Sequence, residues 1–423
     1  MAREMKDSGI EWIGKMPEDW QLKRLQFCLD EINEKNIPIK TEQVLSLVKD
    51  KGVMLYENKG NQGNKAKEDV SQYKIAYPNT LIVNSMNILI GSVGISDYLG
   101  CVSPVYYVFK ETNESDLRYI NYIFNTREFQ SELRKYANGI LEIRLRVSSA
   151  DIFKRKISLP DKVMQERIAN FLDEKCAEID SLSSDIQSQI SILEDYKKSI
   201  ITETVTKGLN PDVEMKRSEI AWVNTAPSHW TLSKIKYEIF PLQRPVYSDD
   251  LVMTCFRDGE VTLRQNRRED GFTVSFTENG YQGVEVGDLV IHGMDAFAGA
   301  IGCSDSRGKI TPVVHVCKTT GNNRFFMYML RSMAMNDVFM NYAEGIRVRS
   351  SDFRNFNKLG KFSIAVPPIN EQNKIAAYLD KKCERITAII AQKSEQLLVI
   401  SDYKKSLIYE YVTGKREVPD NNG

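Results

Sequence analysis

Residues 84–110, NSMNILIGSVGISDYLGCVSPVYYVFK, align without a gap on residues 292–318, HGMDAFAGAIGCSDSRGKITPVVHVCK, with ten identities at a spacing of 208. The displacement runs through the whole chain. KDSGIEWIGKMPEDWQLKRL (6–25) is echoed by KRSEIAWVNTAPSHWTLSKI (216–235), and the four tryptophans pair off as Trp12 with Trp222 and Trp20 with Trp230. YANG (136–139) answers YAEG (342–345), RLRVSS (144–149) answers RVRSS (347–351), and ERIANFLDEKC (166–176) answers NKIAAYLDKKC (373–383). DYKKS stands at both 195–199 and 402–406. A displacement held between 202 and 210 over so many islands makes the chain two copies of one domain-sized unit, not a solenoid of short repeats.

Each copy has the same order: a Trp/Pro lead-in, a mixed globular stretch, then a long helix. Strand-like runs (TLIVNSM, VYYVF, DLVIHGM, VVHVC) alternate with helical ones (LRYINYIFNTREFQSELRKYA, RFFMYMLRSMAMNDVFMNYA), which predicts an α/β (α+β) fold in tandem. The expected division is 1–158 for the first globular domain and 159–209 for its helix, then 210–362 and 363–415 for the second pair, with a tail at 416–423.

From about Gln165 to Thr206 there is neither Gly nor Pro. Leu172, Ile179, Ile186, Leu193 and Ile200 fall seven apart, and Ala169, Cys176 and Ile190 fill a companion seam broken by Ser183 and Lys197. The second copy repeats this with Leu379, Ile386, Ile400 and Leu407, Lys393 being the exception, beside Ala376, Cys383, Ile390 and Leu397. A narrow apolar stripe must be buried against a partner. Antiparallel pairing of the two helices would put the globular copies at opposite ends of a rod; the seams fit pairing between two chains as well. Helix-dipole preference accounts for lysines near a helix C-terminus but not for a repeated five-letter identity. Tyr196, Lys197 and Lys198, with Tyr403, Lys404 and Lys405, are therefore candidate partner-binding residues.

Apolar content of 42% and charged content of 27% fit a soluble globular protein. MAREMKDSGIEW has no apolar signal-peptide core, and no apolar run reaches membrane-span length. Seven cysteines without a CxxC pair point to a reducing, cytoplasmic setting. Zero net charge hides an asymmetry. Residues 44–158 carry 16 Lys/Arg against 12 Asp/Glu and residues 251–362 carry 14 against 12, while residues 161–206 carry 5 against 10. Local charge is what a phosphate backbone feels, because screening hides charges beyond ~10 Å at 0.1 M salt.

No catalytic constellation emerges. GNQGNK (60–65) is too short for a phosphate loop. GSVG and GAIG read as tight turns between strands. No NPPY/F or DPPY tetrad of an adenine methyltransferase is present, and the carboxylates of PDVEMK (211–216) lie too close together for strand-separated metal ligands. His229, His292 and His315 are replaced in the other copy by Asp19, Asn84 and Tyr107, so no histidine is common to both. The expectation is no enzyme, no metal and no cofactor in this chain.

What remains is binding. ENKGNQGNKAK (57–67), RDGEVTLRQNRREDG (257–271) and the pair EIRLRVSS (142–149) and IRVRSS (346–351) mix basic and amide side chains with glycine. Lys and Arg neutralise phosphates. Arg reads guanine and Asn or Gln reads adenine at base edges. The candidate DNA-binding residues are Lys59, Asn61, Gln62, Asn64, Lys65, Lys67, Arg144 and Arg146 in the first copy. In the second they are Arg264, Asn266, Arg267, Arg268, Arg347 and Arg349. One scaffold carrying two different polar loops would read two different sequences.

The chain resembles the specificity subunit of Type I restriction–modification systems. The resemblance is carried by SGIEWIGKMPEDW and SEIAWVNTAPSHW, by LPDKVMQERIANFLDEKC and PPINEQNKIAAYLDKKC, and by the two DYKKS helices, over essentially the whole chain. One departure is that Gln165–Glu166 stands inverted relative to Glu371–Gln372. The resemblance implies two target-recognition domains, each reading half of a bipartite site in double-stranded DNA, joined by two long helices in an antiparallel coiled coil. The helices would set the spacing and dock two modification (methyltransferase) subunits, with restriction (translocase/nuclease) subunits added. S-adenosylmethionine, ATP and Mg would then belong to those partners. Two modules on a rod suit half-sites about a helical turn apart, ~34 Å between centres. The mild basicity implies weak DNA binding by the isolated chain. The competing reading is a coiled-coil scaffold joining two ligand-binding domains without nucleic acid.

Overall fold

A computed structural model describes residues 3–49, 51–60, 69–139, 145–267, 279–340 and 353–419. The chain divides into two compact units, Met1–Ile186 with Glu395–Gly423, and Gln187–Ser394.

In the first unit the chain forms β1 (Leu29–Ile32), a hairpin of β2 (Leu45–Val48) and β3 (Gly52–Leu55), then β4 (Thr80–Asn84), β5 (Val93–Ser96) and β6 (Tyr106–Glu111). The four-stranded sheet has the antiparallel order β1–β6–β4–β5. Side chains alternate faces along a strand, and that alternation builds two cores. Leu81, Val83 and Phe109 join the large cluster shared with helix α1 (Leu117–Phe124), while Ile82 and Val108 pack with Leu45 and Leu47 of the hairpin. The result is three layers: helices, sheet and hairpin. The helical run predicted after β6 is two helices. Asn125 ends α1, and the Thr126 side chain accepts from the Phe129 N–H to start α2 (Arg127–Arg134). Local capping thus overrides a continuous helical pattern. The chain then enters the long helix α3 (Lys162–Lys207).

The second unit repeats this plan with β7 (Ile239–Pro241), the hairpin β8 (Met253–Cys255) and β9 (Val261–Leu263), then β10 (Leu289–His292), β11 (Ile301–Cys303) and β12 (Val314–Thr319). The sheet order β7–β12–β10–β11 reproduces the first. Leu289, Ile291 and Cys317 face the core shared with helix α4 (Asn323–Met335), and Val290 and Val316 face the hairpin. The second long helix is α5 (Ile369–Val412).

The two long helices pair antiparallel within the chain. In the first unit the Phe171 and Tyr411 rings lie 4.6 Å apart and Lys404 Nζ donates to both Asp180 carboxylate oxygens at 2.6 and 2.7 Å. In the second, Lys197 Nζ donates to Thr387 Oγ1 at 2.7 Å and Lys393 to Gln189. Every seam position predicted from the heptads is buried or half-buried.

Each long helix is clasped to its globular layer in the same way. Arg118 reaches Asp173 at 2.9 Å and the Tyr122 hydroxyl donates to the same carboxylate at 2.7 Å. Arg324 and Tyr328 do this to Asp380 at 2.7 and 2.8 Å. The helix starts resolve the Gln/Glu inversion. Gln165 Oε1 accepts from the Asp116 N–H and its Nε2 donates to the Pro160 carbonyl; Gln372 does the same with Asn322 and Pro367. The glutamines are the equivalent residues, 207 apart, and only the glutamate has moved from one side to the other. Among the described residues no helix is long and apolar enough to cross a membrane. Among them, too, no group of three or more His, Cys, Asp or Glu side chains could hold a metal ion.

Candidate nucleic-acid interface

The hairpin layer gathers the polar groups. In the first unit a cleft of about 370 Å³ is lined by the β2–β3 hairpin, the one-turn helix Tyr56–Lys59 that follows it, and the turn after β4. Its polar lining includes Lys49, Tyr56, Lys59, Asn84 and Asn87. The Lys59 ammonium sits 4.0 Å from the Tyr56 ring centre. Arg146 joins the rim by way of Met86, whose Sδ lies 3.5 Å from the guanidinium, and its backbone is bridged to Asn138. Asn61, Gln62, Asn64, Lys65, Lys67 and Arg144 lie outside the described residues.

In the second unit Arg264 Nε donates to Thr254 Oγ1 at 3.3 Å and Asn266 Nδ2 to Thr262 Oγ1 at 2.9 Å. Arg267 pairs with Asp258 at 2.6 Å and Glu260 at 3.1 Å and lies over the Phe256 ring. Arg268, Arg347 and Arg349 lie outside the described residues. The segments that lead into these loops look unrelated as letters, yet they form the same elements in the same order. VKDKGVMLYENK (48–59) and FRDGEVTLRQNR (256–267) both run hairpin turn, strand, one-turn helix, at the same spacing of 208. Lys49 thus answers Arg257, Tyr56 answers Arg264 and Lys59 answers Arg267. The signal was present in the sequence as the pairs Asp50/Asp258, Val53/Val261 and Leu55/Leu263.

The first glycines of GSVG and GAIG form the expected turns: Gly91 (φ +83) and Gly299 (φ +93) end one-turn helices between strands, while Gly94 and Gly302 lie within β5 and β11.

No protein-family model matches the sequence. A protein from Methanocaldococcus jannaschii named "Putative type I restriction enzyme MjaX specificity subunit" is 25% identical over 96% of each chain. The same architecture occurs in a chain from a structural study of complex assembly and conformational transition of the type I R-M system, with a TM-score of 0.68 at 12% identity over 95% of this chain and 99% of that one. It recurs in the HsdS subunit from Thermoanaerobacter tengcongensis, with a TM-score of 0.51 at 12% identity over 95% and 98%.

Over nearly its whole length the chain is similar to a protein named as a type I specificity subunit, and it shares the fold of a solved HsdS subunit. Of the partner-binding candidates on the long helices, Tyr196 and Tyr403 are exposed, as is Lys198. Lys197 and Lys404 turn instead toward the paired helix, and Lys405 lies 3.6 Å from Asp402. Burial pushes the Lys197 pKa down. Part of the DYKKS identity is thus explained by the equivalent bonds Lys197–Thr387 and Lys404–Asp180, each made 207 residues from the other.

His292 closes β10. Its Nδ1 accepts from the N–H groups of Met294 (3.3 Å) and Asp295 (3.1 Å), as Asn84 Oδ1 accepts from Met86 (3.1 Å) in the first unit. Accepting requires a neutral ring. Burial, foremost, holds the His292 pKa below its ordinary value; Arg257 and His315 add to this and Asp295 opposes it. A lowered histidine pKa stabilises the fold fully above the unfolded value of about 6.5, and that contribution is lost as pH falls through it toward the lower folded value. The melting temperature of the second unit is therefore expected to drop between pH 7 and pH 5. His292→Asn, which installs the residue of the first unit, is expected to flatten that drop. Equal pH slopes for wild type and variant in thermal melts would refute the assignment.

Proposed function

We propose that this chain is the non-catalytic DNA sequence-recognition subunit of a Type I restriction–modification complex, working in the cytoplasm. Each globular domain reads one half of a bipartite double-stranded DNA target. The paired helices set the spacing and dock two modification (methyltransferase) subunits, to which restriction subunits add. S-adenosylmethionine, ATP and Mg serve those partners.

The observation that carries this reading is one scaffold built twice, with its polar hairpin layer rewritten: Lys49, Tyr56, Lys59, Asn84 and Asn87 in one copy stand where Arg257, Arg264, Arg267, His292 and Asp295 stand in the other. A duplicated frame with diverged donors and acceptors suits two unlike half-sites. The helices add support. Ile192 and Tyr196 are 65% and 49% exposed, and their equivalents Val399 and Tyr403 are 63% and 53% exposed. Residues four apart share a helix face, so each helix repeats one exposed apolar pair, as docking of two identical partners requires.

The test is capture of partners with the tagged chain from its own cells, joined to methylome sequencing with and without its gene. Recovery of a methyltransferase, with loss of one split adenine-methylation motif on deletion, is the expected result. An unchanged methylome without a captured methyltransferase would end the proposal. The isolated chain is expected to bind duplex DNA weakly, with affinity falling steeply with salt, and to bind more tightly once the partner is added.

A further inference from the structure

Resting on that reading, we infer that Asn87 in the first unit and the Arg257–Asp295 pair in the second are the specificity-determining side chains of the two half-sites. Asn87 would read an A·T pair and Arg257–Asp295 a G·C pair.

The inference begins with an identical mount. Asn87 and Asp295 are equivalent at the spacing of 208 and occupy the first position of the turn after β4 and β10. The Asn87 carbonyl accepts from Ile90 (3.1 Å) and Ser92 (3.1 Å), and the Asp295 carbonyl from Ala298 (3.0 Å) and Ala300 (3.2 Å). The hairpin turn beside them is pressed onto the neighbouring strand through glycine in both units. A Cβ on Gly94 would come 3.1 Å from the Gly52 Cα, and one on Gly302 would overlap the Gly259 carbonyl. Backbone position is therefore fixed alike in the two copies, and only the side chains differ. Such a rigid mount is what a readout residue needs.

The side chains then diverge chemically. Asn87 is exposed at the lip of the cleft, shared with Lys49, and its amide makes no hydrogen bond among the described residues. It offers one donor and one acceptor side by side, the pattern that pairs with adenine N6 and N7. At the equivalent place Asp295 Oδ1 accepts from Arg257 Nη2 at 3.0 Å, and Arg257 stands where Lys49 stands. An exposed guanidinium matches guanine O6 and N7, and a carboxylate beside it accepts from cytosine N4.

The test transplants the pair. The complex of this chain with its methyltransferase partner is given a randomised duplex library, and the methylated motif is sequenced for wild type and for the double substitution Lys49→Arg, Asn87→Asp. The expected result is a change at one position of one half-site, from A·T toward G·C by about tenfold or more, with the other half unchanged. The reciprocal Arg257→Lys, Asp295→Asn is expected to alter the other half alone. Lys49, Asn87 and Arg257 are exposed and Asp295 is half-buried, so both chains should fold; if the first melts below wild type, the reciprocal chain decides. Unchanged motifs from the folded variants, or a change in the wrong half, would overturn the inference while leaving the recognition role standing. A wild-type complex that methylates no split motif would instead overturn the role itself.

Discussion

Replacing Trp230 by alanine is expected to lower the melting temperature of the second unit by on the order of 10 °C, and Trp20→Ala to do the same to the first. Both indoles are only 1% exposed and belong to the large core of their unit. Each also closes the end of a long helix. Gly208 (φ +80) follows α3, and a Cβ there would lie 3.4 Å from Trp230 Cζ2; Gly414 (φ +72) follows α5, and a Cβ there would lie 3.0 Å from Trp20 Cη2. A left-handed glycine is the common way to stop a helix, and here it also lets the ring seal the helix end. Truncating such a residue costs about 3–5 kcal/mol, at about 2–4 °C per kcal/mol for a unit of this size. Neither indole N–H has a hydrogen-bond partner among the described residues. The loss is therefore one of packing, and Trp→Phe should restore most of it. Thermal unfolding followed by the fluorescence of the remaining tryptophans measures this directly. A shift smaller than about 3 °C for both alanine variants would refute it.

The sequence made the duplication, the fold class and the helix seams legible because each rests on spacing, which survives divergence of individual letters. Heptads predicted which residues of α3 and α5 turn inward, Lys393 and Lys197 included as polar breaks, and the structure supplies their reason: both make interhelical hydrogen bonds. Two things were hidden. The break between α1 and α2 depends on one threonine cap inside an otherwise helical pattern, and caps are weak signals beside periodicity. The equivalence of residues 48–59 and 256–267 escaped because the hairpin layer shares only four letters, the inward-facing Val53/Val261 and Leu55/Leu263 and the polar Asp50/Asp258 and Asn58/Asn266. Most of its outward positions, which are free to change without disturbing the core, differ. For the same reason, a search for repeated motifs favours residues that hold the scaffold and passes over the residues that distinguish the copies. Lys197 and Lys404 repeat because they tie helix to helix; Asn87 and Asp295 differ while occupying one position.

Gln165→Leu and Gln372→Leu are expected to destabilise their units by several kcal/mol, the first more than the second. Leucine keeps most of the volume, so the cost is electrostatic rather than a cavity. Gln165, 0% exposed, satisfies three backbone groups: the Asp116 N–H (2.9 Å) and the carbonyls of Glu114 (3.0 Å) and Pro160 (2.9 Å). Gln372, 4% exposed, satisfies two: the Asn322 N–H (2.9 Å) and the Pro367 carbonyl (2.9 Å). Each buried group left without a partner costs about 1–3 kcal/mol. The amide ties the start of a long helix to the capping residue of the helix that packs on it, Asp116 for α1 and Asn322 for α4. Losing it should therefore loosen the first turn of α1 or α4 before the rest of the unit, giving faster amide exchange at Arg118 and Tyr119, or at Arg324 and Phe325, than at the sheet. A glutamate in place of Gln165 would be worse than leucine, because its carboxylate would face the Glu114 and Pro160 carbonyl oxygens without a donor. Thermal melts of the three variants, with hydrogen exchange on the two leucine ones, decide the matter. If Gln165→Leu melts within about 2 °C of wild type, the bridge is not what joins α3 to α1, and the shared position of the two glutamines has another cause.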